Sequence, residues 1–195
     1  MKKRNLLVMF VAMLLALAMM PIISYAGTNV VEANGGEVTD GQSFVDALGG
    51  QATYTESDDI FTITLNGDIS LAKDYINIES GKYILNGSGT ITRGEGYTGT
   101  LIKVGSGASL KLGGSVVIDG GAVWTKNGEP STPAEGAENI GTQATACLVY
   151  NDGSFELTGD AVLQNNDGAS ALQSWVSCSM SGGIIRNNRA STRAA

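Results

Sequence analysis

One five-residue pattern recurs along this chain and limits its fold more than any other feature. Ile63-Thr64-Leu65-Asn66-Gly67 returns as Tyr83-Ile84-Leu85-Asn86-Gly87, Leu110-Lys111-Leu112-Gly113-Gly114, Phe155-Glu156-Leu157-Thr158-Gly159 and Cys178-Ser179-Met180-Ser181-Gly182. In each copy two apolar residues flank a mostly polar one and a glycine closes the unit, the alternation of a short strand entering a turn. These glycines lie 20, 27, 45 and 23 residues apart. A second apolar position follows each, at Leu71, Ile91, Ile118, Leu163 and Ile185, and strand-like pieces at 75–78, 101–104, 147–150 and 171–172 precede the later copies. Two or three short strands per coil, with no helical period between them, predict a parallel β-solenoid. A leucine-rich repeat shares the period but requires helix or spaced Leu/Asn patterns that are missing.

Stacked at about 4.8 Å, five coils make a core roughly 20–25 Å long. Leu65, Leu85, Leu112, Leu157 and Met180 are expected to form one inward column, and Leu71, Ile91, Ile118, Leu163 and Ile185 a second. The abundant glycine serves turns that need positive φ. Gly105-Ser106-Gly107 precedes no helical pattern, which argues against a nucleotide fingerprint. Asn165-Asn166 and Asn187-Asn188 occupy one place in successive coils and read as a ladder bonded within itself and to turn backbone.

A stack of this kind needs covered ends. Asp40-Gly41-Gln42-Ser43 can start a helix carrying Phe44, Val45 and Leu48 on one face, stopped by Gly49-Gly50, and this helix is expected to cap the first coil. Asp58-Asp59 reads as a turn before the first strand. After Asn188 no apolar cap follows, so the array is expected to be incomplete at its C-terminus. The 45-residue interval holds the least strand-like stretch, 120–146, with Pro130, Pro133, Glu129, Glu135, Glu138 and Trp124. It reads as a loop bulging from one turn. Trp124, Glu129, Glu135 and Glu138 are the candidate binding residues there; the competing reading is a solvated excursion with Trp124 packed at its base.

Lys2, Lys3 and Arg4 precede an apolar run, 6–20, and the small-residue site Ser24-Tyr25-Ala26, which predicts a signal peptide cleaved after Ala26. A retained anchor is the alternative for a run of this length, but Pro21 breaks the helix before the site. The protein is then secreted or at the cell surface, touching membrane only through the uncleaved signal. Removing residues 1–26 leaves nine basic against nineteen acidic side chains, a charge of −10, which argues against a nucleic-acid partner. Cys147 and Cys178 can form one bridge at most; buried free cysteines are the preferred reading, since both sit at inward positions. The organisation expected is a signal peptide (1–26), an N-terminal segment with the capping helix (27–60) and a parallel β-helix (61–195) carrying the insertion 120–146.

The segment 38–48, the string Thr62-Ile63-Thr64-Leu65-Asn66-Gly67-Asp68-Ile69 and Leu163-Gln164-Asn165-Asn166 resemble the right-handed parallel β-helix, or pectate-lyase-like, proteins, especially surface proteins of Gram-positive anaerobes. The resemblance implies an all-β right-handed parallel β-helix of about five coils with a short N-terminal capping helix. It implies polysaccharide lyases, glycoside hydrolases or non-catalytic adhesins as functions. The hydrolases carry an Asp cluster with a nearby His, and this chain has no histidine. Calcium-dependent lyases need convergent carboxylates and a base. Asp119, Asp152, Asp160 and Asp167, with Arg186 as the nearest basic residue, do not form a column, and Asp119 matches Gln164 on the next coil. No catalytic residue, metal site or cofactor is therefore expected. The function expected is a non-catalytic adhesin-like or structural surface module binding glycans or an extracellular host or matrix protein; the alternative is a lyase or hydrolase acting on acidic glycans.

Overall fold

A computed structural model describes residues 30–190; the expected signal peptide and residues 191–195 lie outside that range. The described chain is all-β apart from one seven-residue helix, and its principal sheet runs in parallel through seven strands with strong curl. Among the described residues no helix is long and apolar enough to cross a membrane.

Successive repeats pair in parallel register. Tyr83 and Leu85 face Leu110 and Leu112, which face Phe155 and Leu157, which face Cys178 and Met180. Ile91, Ile118, Leu163 and Ile185 form a second row, and Ile76, Ile102, Val149 and Leu172 a third. The inner members of all three rows belong to one apolar core.

The first copy departs from expectation. The motif alignment predicts Leu65 opposite Leu85 and Leu71 opposite Ile91; instead Ile63 faces Leu85 and Ile69 faces Ile91. Both strands are offset by two residues, and an even offset keeps the same side chains inward. Ile63, Leu65, Ile69 and Leu71 are accordingly all fully buried. Gly87, now opposite Leu65, permits the arrangement: its φ is +97°, and a Cβ there would lie 2.3 Å from the Leu65 carbonyl oxygen.

The segment before this copy supplies strands as well as a cap. Val31–Ala33 pairs with Ile69–Leu71, and Gly36–Val38 pairs with residues 76–78. The helix Gly41–Ala47 forms as expected, with Asp40 and Ser43 exchanging capping bonds and Gly49 and Gly50 following at positive φ. It buries Phe44 and Leu48 completely, and the Phe44 ring meets Tyr83 edge-on at 5.5 Å. The predicted Asp58-Asp59 turn exists, but it closes an antiparallel hairpin between Ala52–Ser57 and Ile60–Leu65. Both aspartates have positive φ, the backbone of a type I′ turn. The extra strand covers an edge that Ile60–Leu65 would otherwise expose.

The capping bonds from the Ser43 backbone and side chain hold the Asp40 carboxyl below its ordinary value of 3.8. A carboxyl lowered in the folded state stabilises above its unfolded pKa and loses that contribution as pH falls through the folded one. Asp40→Asn is expected to remove this part of the acid sensitivity. Melting curves taken down through the carboxylate range check it: parent and variant should converge at low pH.

Two further expectations need correction. Residues 120–146 do not form an open loop: Trp124–Lys126 pairs antiparallel with Glu129–Pro130 and with Glu138–Asn139. Asn127 and Gly128, both at positive φ, make the tight turn between the first two. Cys147 is buried, but Cys178 is exposed, and neither is bridged. Cys178 keeps its inward register opposite Phe155, yet no described strand packs on its other side, and Met180 and Ile185 are exposed for the same reason.

Candidate functional site

The residues singled out in the insertion are dispersed. Trp124 is buried with Ala122 and Ala137; its Nε1–H donates to the Asn187 carbonyl at 3.3 Å, and the Arg189 guanidinium lies 4.4 Å from its ring centroid. That is the packed-base reading of Trp124. Glu129 and Glu138 are exposed on the two flanking strands, while Glu135 is exposed between them and its backbone carbonyl accepts from Lys126 Nζ. The structure thus separates the tryptophan from the three carboxylates.

The carboxylates weighed for chemistry also go to different places. Asp119 stands opposite Gln164, which stands opposite Arg186. Gln164 Nε2 donates to Asp119 at 2.7 Å, Arg186 Nε donates to Gln164 Oε1 at 2.9 Å, and Asn165 donates to Asp119 as well. Asp167 is buried and held by two Arg189 nitrogens at 2.9 and 3.0 Å and by Asn139. Asp160 is exposed in a turn. Among the described residues no three His, Cys, Asp or Glu side chains converge as metal ligands.

The asparagine pairs do form a ladder. Asn165 and Asn187 both take positive φ, and Asn188 Oδ1 accepts from the Asn166 backbone N–H while its Nδ2 donates to the Leu163 carbonyl. Asn166, fully buried, donates to the carbonyls of Ala146, Ala169 and Ser170. Its Oδ1 accepts from Arg93, a residue that motif reading passed over because it lies two residues beyond the second apolar position, Ile91. Arg93 is 5% exposed and donates also to the carbonyls of Gly99, Gly120 and Ala146. Burial pushes its pKa down to about 10, so it remains charged at neutral pH. Four neutral oxygens, with no carboxylate among them, surround the charge. These bonds tie together segments that follow three successive strands of the second row, structural work whose bonds to Gly120 and Asn166 are buried.

The accessible feature lies elsewhere, on the outer side of the third row. Asn77 faces Lys103 and Lys103 faces Tyr150, all pointing away from the buried residues Ile76, Ile102 and Val149. A depression of about 520 Å³ is lined by Asn77, Glu79, Lys103, Gly105, Ser106 and Asp152. A second, of about 270 Å³, shares Lys103 and Asp152 and adds Tyr75, Thr100 and Tyr150. The cause is local: Ile78 faces Val104 but Ser80 faces Gly107, so one strand spends an extra residue, a bulge at Gly105 and Ser106. The small side chains of that bulge leave room beside Glu79 and Asp152. Lys103 Nζ lies 6.0 Å from the Tyr75 ring centroid, and Asn77 donates to Glu79 at 3.0 Å while its Oδ1 has no partner.

Sequence reading missed this groove because it followed the inward positions. The signal was present in the outward ones: Tyr75, Lys103 and Tyr150 sit beside apolar residues of three aligned strand-like pieces. Chemically, the groove offers two aromatic rings, an ammonium, two carboxylates, an amide and hydroxyls, a set for recognition. Compared with known proteins, the chain matches no family model, no curated protein and no solved structure.

Proposed function

We propose that this chain is a secreted or cell-surface right-handed parallel β-helix of about five coils, of the pectate-lyase-like kind seen in surface proteins of Gram-positive bacteria, acting as a non-catalytic, adhesin-like binding module. In-register stacking of the repeats and the curl of the parallel sheet support the scaffold. The observation that carries the binding function is the groove on the outer face, where Tyr75, Lys103, Tyr150 and Asp152 come together from three strands distant in sequence. Aromatic surface with a few placed polar groups is the usual composition of a binding site. Asp119, Asp160 and Asp167 are dispersed into a ladder, a turn and an ion pair, which weighs against the lyase or hydrolase alternative; of the four carboxylates considered for chemistry, Asp152 alone lies in the groove, with Glu79 and Lys103.

Purified protein probed against a glycan array and against immobilised extracellular-matrix proteins should be captured by one of them, and Tyr75→Ala/Tyr150→Ala should lose that capture. Release of unsaturated or reducing sugar ends from acidic polysaccharides would replace the binding function with the enzymatic one. Silence on both surfaces would overturn it.

A further inference from the structure

We infer that the ligand of this groove is an uncharged oligosaccharide, and that the acidic polysaccharides implied by the enzymatic alternative are excluded from it. The inference rests on the binding function proposed above and specifies its ligand.

Three features point to a sugar. Tyr75 and Tyr150 stand two strands apart and two positions apart along the strand, which places their backbones about 12 Å from one another. That is the reach of a short oligosaccharide and exceeds that of a single ring or a small ion. Amphipathic rings with fixed faces suit sugars, which present C–H bonds on one side and hydroxyls around the rim. Beside the tyrosines lie groups suited to hydroxyls: the carboxylates of Glu79 and Asp152 accept and the Lys103 ammonium donates.

The charge balance selects the class. Lys103 is the only basic residue lining the two depressions, and Glu79 and Asp152 oppose it, so the groove itself carries a net negative charge. The chain as a whole, groove included, carries a formal −7, or −10 without residues 1–26. A polyanion approaching this surface is repelled at long range and, once bound, must place its carboxylates beside Glu79 or Asp152. A neutral sugar meets neither cost, and carboxylate acceptors make stronger hydrogen bonds to its hydroxyls than amides would.

Calorimetric titration of the purified protein with neutral β-linked hexose oligosaccharides, and in parallel with oligogalacturonides, each at low and high salt, tests this. The neutral series should bind with little dependence on salt, and Asp152→Asn and Tyr150→Ala should each weaken it about tenfold. The acidic series should bind more weakly or not at all. Melting curves of both variants establish that they fold like the parent. Tighter binding of the acidic series, weakened by salt and lost in Lys103→Gln, would overturn the ligand class while leaving a binding module. Neutral binding that survives both folded variants would overturn the groove as its site. No binding of either series would overturn the inference altogether, and the matrix-protein arm described above would then decide the function alone.

Discussion

Arg93→Leu is expected to lower the melting temperature by roughly 10 °C, the largest effect of any single polar substitution in the chain. Leucine fills much of the same space but leaves four acceptors behind: the carbonyls of Gly99, Gly120 and Ala146 and Oδ1 of Asn166. The bonds to Gly99 and Ala146 lie where water can partly replace the guanidinium, so the loss concentrates on Gly120 and Asn166. Each buried group left unpaired costs about 1–3 kcal/mol, and the pair about 4 kcal/mol. Arg93→Lys should recover only part of this, because one ammonium cannot reach acceptors that the guanidinium contacts from three nitrogens. Asn166→Ala should be strongly non-additive with Arg93→Leu, since the two share one hydrogen bond. Thermal and denaturant unfolding of the single and double variants measure this; an Arg93→Leu protein that melts with the parent would show that the charge is dispensable.

Removing the cover over the first strands should be comparably severe. Phe44 is fully buried and closes over Tyr83, whose ring stacks in turn on Phe61 at 5.3 Å. Phe44→Ala is expected to cost about 3–5 kcal/mol by leaving a cavity at the end of the core. Deleting residues 39–50 removes the helix itself and lays bare Ile63, Leu65 and Tyr83, so soluble aggregates should replace the monomer. Size-exclusion chromatography with light scattering distinguishes the outcomes. A deletion variant that stays monomeric and melts like the parent would mean that the antiparallel strand Ala52–Ser57 protects this end by itself.

Local rules read well from the sequence where each has one physical cause. The Asp40–Ser43 cap, the glycine stop and the strand alternation of the later repeats all depend on neighbours within a few residues. Register was less legible. An offset of two residues leaves every inward side chain inward, so hydrophobic pattern alone could not tell Ile63 from Leu65 as the partner of Leu85. The decisive contact was between Gly87 and the Leu65 carbonyl, a close approach of two backbones across strands. The insertion was misread because its strands are only two or three residues long and two prolines masked them, although Asn127-Gly128 announced the hairpin. The groove was legible only after alignment, because outward residues carry no periodic signal until strands are placed side by side.

Trp124 and Arg93 have a consequence for how this molecule comes apart. In a chain of stacked repeats each unit touches only the next, and the array can melt from an end, one unit at a time. Trp124 leaves the strand Ser115–Asp119, passes over the next member of its row and bonds at Asn187 and Arg189, beyond the one after that. Arg93 makes a similar leap to Asn166. Couplings that skip a neighbour penalise a boundary between folded and unfolded units twice over, so peeling becomes unfavourable and residues 93–189 should exchange their amide hydrogens as one cooperative block.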